Sequence, residues 1–338
     1  MKITNLIISG AMLFTVASTT QAASMLDTVK TRGHMVCGVK ESLPGFAIPN
    51  SKGVWEGSEV DICRAVAAAV FGDATKVKFK PMSGKQRFTA LQSGEIDMLA
   101  RTTTWTYSRD VSLGANFVGV SYYDGQGFMV KKTLGVKSAR ELNGASICIL
   151  SGTTSELNVT DYFRKHKMSY IPVIIDESSQ VAKSFDAGRC DVMTSDQSQL
   201  YAQRIRLNDP KNTLVLPEVI SKEPLGPVVR QGDDLWANVV RWSFNTMVAA
   251  EELGVTSANV DAQKASADPK VQRLLGVSGV RGDWMGLSDD WGYNIIKLVG
   301  NYGESFDRNL GAGSPLKIER GLNALWTEGG LQFSPPIR

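Results

Sequence analysis

Apolar positions along the chain follow two alternating rhythms. Short runs bearing apolar residues, Met35–Val39, Val77–Pro81 and Ile96–Ala100, read as strands. Between them the spacing is helical. Ile62, Val66 and Val70 line one face of a helix that stops at Gly72, and Ser58-Glu-Val-Asp61 has the form of a capping box with Ser58 as the cap. A helix over Lys85–Gln92 ends at Gly94. The next stretch repeats this design. Ser146–Leu150, Ile171–Ile175 and Asp191–Thr194 read as strands. Gly152-Thr-Thr-Ser-Glu156 opens a helix that runs to about Lys165, and Gln180–Asp186 is helical and ends at Gly188. A helix–Gly–x–x–Asp–strand pattern occurs at Gly94-Glu-Ile-Asp97 and again at Gly188-Arg-Cys-Asp191. The alternation predicts an α/β protein with two lobes of similar design.

Two stretches, Tyr122-Tyr-Asp-Gly-Gln-Gly127 and Val219–Pro227, set glycine or proline beside extended apolar residues and read as crossings between the lobes. The expected organisation is a signal peptide over 1–22, the N-terminal part of the first lobe over 23–125 and the second lobe over 126–221. The remainder of the first lobe, with a helical extension, follows over 222–338. The tail predicts helices near Leu235–Leu253, Asp289–Tyr302 and Lys317–Trp326, with Trp284, Trp291 and Trp326 as packing residues.

The N-terminus sets the compartment. Lys2 precedes a mostly apolar run from Leu6 to Ala17, and Thr20 and Ala22 put small residues where a signal peptidase needs them, for cleavage after Ala22. The run falls short of the ~20 residues that span a bilayer. The mature chain is therefore expected to be soluble, and periplasmic in an organism with two membranes. Formal net charge is +3, mixed along the chain without a basic run interleaved with aromatics, so nucleic acid is not an expected partner. His34 and His166 are the only histidines and no Cys-x-x-Cys occurs, so neither a metal nor a cofactor is expected. Four cysteines in an exported chain predict two disulfides, with three possible pairings. Cys37–Cys63 with Cys148–Cys190 keeps each bridge inside one lobe, where it does not lock a hinge.

Ligands of α/β sheets sit beyond the carboxyl ends of the strands. Arg101-Thr-Thr-Thr-Trp-Thr-Tyr-Ser-Arg109 follows the strand at Ile96–Ala100 and offers hydroxyls, N–H groups and a guanidinium. Arg109 can grip a carboxylate through two parallel bonds, although a threonine run there also suits a plain turn. Gly152-Thr-Thr154 opens a helix whose free N–H groups and dipole favour an anion. Together these make a carboxylate clamp drawn from both lobes. Asp196, just after the strand Asp191–Thr194, suits an α-ammonium group or the cap of a helix beginning near Gln197.

Longer segments carry a resemblance. They are Leu43-Pro-Gly-Phe46, the run from Val60 to Gly72, Arg87-Phe-Thr-Ala-Leu-Gln-Ser-Gly94, Thr103-Thr-Trp-Thr106 with Arg109, and the crossing from Tyr122 to Phe128. Gly152-Thr-Thr154, Asp191 with Asp196-Gln-Ser198, and Ile220-Ser-Lys-Glu-Pro-Leu-Gly-Pro227 complete them. In these the chain resembles the polar amino-acid-binding proteins of bacterial ABC importers, solute-binding family 3. It is most similar to the long branch that takes general L-amino acids or glutamate, glutamine, aspartate and asparagine. The resemblance implies a type II two-lobed fold with mixed sheets and two crossing strands, a monomer, and a membrane permease as partner. It places the carboxylate-binding arginine on Arg109, its hydroxyl and amide donors on Thr102, Thr104 and Thr154, and the ammonium acceptor on Asp196. Lys40 and Arg87 resemble positions where glutamate- and aspartate-binding relatives carry arginines for a second carboxylate; otherwise they would be solvated charges. There are departures. Gly57-Ser58-Glu59 stands where the family reads Gly-Phe-Asp, and Lys40 and Leu43 replace an aspartate and an aromatic residue of many relatives, which bears on specificity.

The resemblance implies binding without turnover. A dehydratase-like enzyme on the same fold would need a positioned acid or base, and two histidines build no Ser-His-Asp constellation. A receptor that reports amino acids to a membrane sensor is a further alternative.

Overall fold

The structure, a computed structural model, describes residues 24–338. The expected signal peptide, 1–22, lies outside the described residues. After α1 (Met25–Arg32), β1 (Met35–Lys40) leads through a small hairpin, β2 (Ile48–Pro49) and β3 (Trp55–Glu56), into α2 (Ser58–Phe71). Then follow β4 (Val77–Met82), α3 (Arg87–Gln92), β5 (Met98–Leu99), α4 (Tyr107–Ser112) and β6 (Ala115–Phe117). β1 is buried along nearly its whole length and lies parallel to both β4 and β5. A strand covered on both faces has no reason to alternate, and this one reads as a nearly continuous apolar run.

β7 (Tyr122–Asp124) carries the chain out of the first sheet, and after the second sheet β13 (Glu223–Leu225) carries it back; the two pair antiparallel, Tyr123 opposite Pro224. The second sheet holds β8 (Gln126–Lys131), β9 (Ser146–Leu150), β10 (Ile171–Ile175), β11 (Val192–Asp196) and β12 (Thr213–Val215) in the order β10-β9-β11-β8-β12. α5 (Thr154–Lys165), α6 (Ser178–Asp186) and α7 (Gln197–Arg204) belong to it. The first sheet closes with β14 (Val228–Arg230), in the order β4-β1-β5-β14-β6. In both sheets the first parallel strand has parallel neighbours on either side, and an antiparallel strand follows on one flank. Cys37 of β1 is bonded to Cys63 of α2, and Cys148 of β9 to Cys190.

The start of α2 differs from the capping box. Ser58 is already helical and Gly57 is the cap, at φ 136° and with no side-chain bond. The main chain of the preceding loop does the capping. Ser58 N–H donates to Gly45 O at 2.9 Å and Glu59 N–H to Phe46 O at 3.1 Å. A Cβ at Gly57 would lie 2.1 Å from Phe46 O, so only glycine admits this approach.

The tail begins with α8 (Asp234–Glu252), followed by α9 (Val260–Gln263) and α10 (Pro269–Leu274). The helix expected over Asp289–Tyr302 is instead α11 (Trp291–Leu298), with a separate α12 (Tyr302–Asn309) beyond it. Gly300 at φ 97° breaks the run and Asn301 caps the next helix with Glu304. Lys317–Trp326 forms no α-helix. Gly321 sits at φ 49°, outside helical space, and leaves only short 3-10 turns. Trp291 is buried as a packing residue, but Trp284 and Trp326 are 65% and 61% exposed. Val29, Val39, Val66, Val240, Met247, Ile295 and Phe306 share one core that joins α1, β1, α2, α8, α11 and α12. Asp61 anchors the tail. Its Oδ2 accepts from Ser305 Oγ, Arg308 Nη2 and Asn309 Nδ2, each at 2.7 Å. The far tail reaches the crossing strand. Asn323 accepts from Tyr123 N–H at 2.7 Å and donates to Tyr123 O at 3.1 Å, and Tyr302 donates to Ser121 O at 2.9 Å.

Candidate functional site

The carboxyl ends of β1, β5, β9 and β11 face each other across the gap between the two sheets. The cavity there is lined by Lys40, Arg87, Arg101, Thr102, Thr104, Arg109, Leu150, Thr153, Thr154, Ser155, Ser195, Asp196 and Gln199. Every residue expected to touch a ligand is in this set, from both lobes. A roomier opening on the tail, bordered by Glu252, Arg273, Trp326 and Phe333, has no comparable convergence of buried charge.

Local structure aims each group. Thr106 caps α4 by accepting from Arg109 N–H at 3.3 Å, which turns the Arg109 side chain back over the loop, and its Nη1 donates to Thr104 O at 2.9 Å. Arg87, at the start of α3, is buried; its Nη1 reaches Thr103 Oγ1 at 3.4 Å and its Nη2 reaches Gly152 O at 3.2 Å, while Nε has no partner. The guanidinium carbons of Arg87 and Arg109 stand 5.0 and 5.4 Å from the centre of the Phe88 ring. Lys40 is also buried and donates to Gln199 Oε1 across the cleft. Neither Lys40 nor Arg87 is therefore a solvated surface charge. Asp196 is the cap residue of α7 but makes no side-chain capping bond; its Oδ2 accepts from Gln199 Nε2 at 2.5 Å instead.

Thr104 and Thr154 are engaged elsewhere. Their hydroxyls donate to Glu223 Oε2 at 2.5 and 3.0 Å, and Asn158 Nδ2 and Ser221 Oγ donate to Glu223 Oε1. A hydroxyl has one proton, so in this arrangement both threonines present lone pairs, not donors, to the cavity. Thr102 lines the cavity at φ 39°.

Sequence reasoning missed Arg101, Glu223 and Gln199. Arg101 is a buried charge directly after an apolar strand, its Nε donating to Met82 O at 2.6 Å and its Nη2 paired with Glu41 Oε2 at 3.7 Å. Gln199 follows Asp196 by three positions, on the same helical face, which is a usable signal. Glu223 sits in a crossing and shows no local pattern.

Four cations and one carboxylate line the cavity: Lys40, Arg87, Arg101 and Arg109 against Asp196. Burial, and then the Arg101 charge, push Lys40 down to about 7. Burial also lowers Arg109 to about 10 and Arg87 well below its usual range. Among the carboxyls, burial raises Glu59 to about 7 and Asp124 to about 6, and with Asp124 and Glu223 nearby it raises Asp196 strongly. The pH dependence of stability has a definite sign. These folded-state carboxyls keep their protons to higher pH than the unfolded chain does, so their contribution is lost as pH rises through about 6 to 7. Without ligand, the melting temperature is expected to fall between pH 5 and pH 7. A rise over that interval in calorimetric scans would contradict this.

The lobes are in contact around the cavity. Besides Lys40–Gln199 and Arg87–Gly152, Arg206 Nη1 donates to Ser42 O at 3.1 Å, and Lys85 meets Asp176 at 2.7 Å. The last pair is exposed and worth little. The chemistry on offer is the sequestration of a small polar solute with an anionic group.

Comparisons with known proteins agree with this chemistry. Residues 35–258 match the model of bacterial extracellular solute-binding proteins, family 3. Over 331 residues, 97% of each chain, the sequence is 55% identical to the general L-amino acid-binding periplasmic protein AapJ of Rhizobium johnstonii. It is 52% identical over 318 residues, 94% of each chain, to the glutamate/glutamine/aspartate/asparagine-binding protein BztA of Rhodobacter capsulatus. A solved periplasmic binding protein of an ABC transporter from Brucella ovis, with glutathione bound, superposes with a TM-score of 0.91 at 56% identity, over 94% of this chain and all of that one.

Proposed function

We propose that this chain, which belongs to the bacterial extracellular solute-binding proteins of family 3, captures free L-amino acids outside the cytoplasmic membrane for an ABC permease and leaves them chemically unchanged. The observation that carries the proposal is the buried, cation-rich cavity built from both lobes around a single lining acid, Asp196. Arg109 grips the α-carboxylate, with Thr102 beside it. Thr104 and Thr154 join as donors once their hydroxyls turn from Glu223. Asp196 takes the α-ammonium. Lys40 and Arg87, with Arg101, meet a second acidic group, which favours glutamate and aspartate, then glutamine and asparagine. The expected signal peptide and the periplasmic relatives support export to the periplasm; among the described residues no helix is long and apolar enough to cross a membrane.

Ligand groups come from both lobes, so only the closed form makes every contact and ligand shifts the population towards it. Hinge closure is general to periplasmic binding proteins, and that motion is borrowed from the class. Small-angle scattering should show a smaller radius of gyration with saturating glutamate; an unchanged radius would count against it.

A second reading keeps the site and enlarges the ligand. Glutathione carries an α-amino acid end and a distant carboxylate, and the Brucella ovis structure holds it. Calorimetric titration with glutamate, glutamine, aspartate, asparagine, leucine, lysine and glutathione tests both. Binding of none of the amino acids would end the first reading, and binding of glutathione alone would establish the second.

A further inference from the structure

We infer, on the premise that the cleft takes amino acids, that Glu59 is the positioning residue of the ligand loop and holds Thr102 in a backbone conformation the loop would not keep by itself. Thr102 has φ 39°, in the left-handed region where glycine is at home and a β-branched residue is an outlier. Among the described residues only Lys167 and Lys317 share that trait without being glycine, and neither lines the cavity. Strain of this kind persists where the surroundings over-determine it.

Glu59 supplies that constraint. Its Oε1 accepts the Thr102 N–H, and the carboxylate is buried. The post it stands on is rigid. Glu59 opens α2 with its own N–H on Phe46 O at 3.1 Å; the helix is tied to β1 by Cys37–Cys63 and to the tail through Asp61. From Thr102 onward the main chain sets the direction of the ligand groups: Gly226 N–H donates to Thr103 O at 3.1 Å, and Arg109 donates to Thr104 O at 2.9 Å. Were Thr102 to relax to an ordinary φ, the peptide planes on either side would rotate and Arg109 would lose its register with Asp196. Glu59 does not line the cavity, so it acts through Thr102 and not on the ligand.

The test separates hydrogen bond from charge. Glu59→Gln keeps an acceptor and removes the charge; Glu59→Leu keeps the volume and removes the acceptor, with Glu59→Ala as substitute should the leucine protein not fold. L-Glutamate is titrated into each by calorimetry. Glu59→Gln should bind within about threefold of wild type and Glu59→Leu at least about tenfold more weakly, the scale of a buried donor left without its acceptor. Thr102→Gly removes the strain, so in that background Glu59→Leu should cost less than about threefold. Amide exchange of Thr102, followed by NMR without ligand, should be at least about tenfold faster in Glu59→Leu and unchanged in Glu59→Gln. An equal loss in both Thr102 backgrounds, or a Thr102 amide equally protected in all proteins, would overturn the assignment. A wild type that binds no amino acid would refute the premise alone, because the exchange measurement needs no ligand.

Discussion

Arg109→Ala should weaken the binding of L-glutamate about 30-fold to more than a thousandfold, and Asp196→Ala should do the same. Removing one partner of a buried, hydrogen-bonded charge pair costs about 2–5 kcal/mol, at 1.4 kcal/mol per tenfold. Much of that cost is the charge left behind. Without Arg109 the α-carboxylate enters a cavity where Thr104 and Thr154 have their protons on Glu223. Without Asp196 the α-ammonium meets Lys40, Arg87, Arg101 and Arg109 with no lining carboxylate to balance them. Calorimetry on both variants decides it. Binding within about threefold of wild type removes that residue from the α-group contacts.

The second large effect is selectivity. Wild type should prefer glutamate to leucine by at least about tenfold, since one hydrogen bond to a charged group contributes about 1.5–3 kcal/mol. The physical reason is visible in the cations themselves. Burial, then the charge of Arg101 on Lys40 and those of Arg109 and Arg101 on Arg87, push both towards losing their protons, and a second carboxylate in the ligand relieves both. Arg87→Ala should reduce the glutamate-to-leucine ratio about tenfold. The ratio, not the absolute affinity, is the proper readout. Arg87 also spans the cleft to Gly152 O, so its loss affects closure on every ligand equally and cancels in the ratio. Equal affinity for leucine and glutamate in wild type would indicate a far pocket that is roomy and wet.

Much of the fold was legible because its central strands are buried on both faces. β1 and β9 show as short apolar runs, and α2 as a helical stripe ended by Gly72. The residues gathered at the cavity were legible for a related reason. Lys40 and Asp196 end strands, and Thr102, Thr104 and Thr154 follow strand ends closely in the chain; strand ends are where α/β sheets present ligands. What escaped notice depends on distant partners. Glu223 meets Thr104 and Thr154, far away in sequence, and no local pattern announces it. The capping of α2 by Gly45 and Phe46 belongs to a loop passing overhead. The tail misled through composition: Lys317–Trp326 has helical apolar spacing, but Gly321 takes a left-handed φ and the segment is given over to side-chain contacts with the crossing strand.

Those contacts decide where the molecule can bend. Tyr123 stands opposite Pro224, which has no N–H to offer, and its own N–H and C=O are taken by Asn323 on the outer edge. On the other side, Trp105 N–H donates to Pro224 O at 2.8 Å, so β13 is gripped by the ligand loop. A ribbon held along both edges is a beam, not a joint. Should the lobes hinge as proposed, both crossing strands would move with the first lobe and flexure would fall at their far ends. There Gly125 lies so close to Val219 that a Cβ would sit 2.2 Å from Val219 Cγ1. A pivot there would lie off-centre, against the second lobe, with the tail as the fixed half of its bearing.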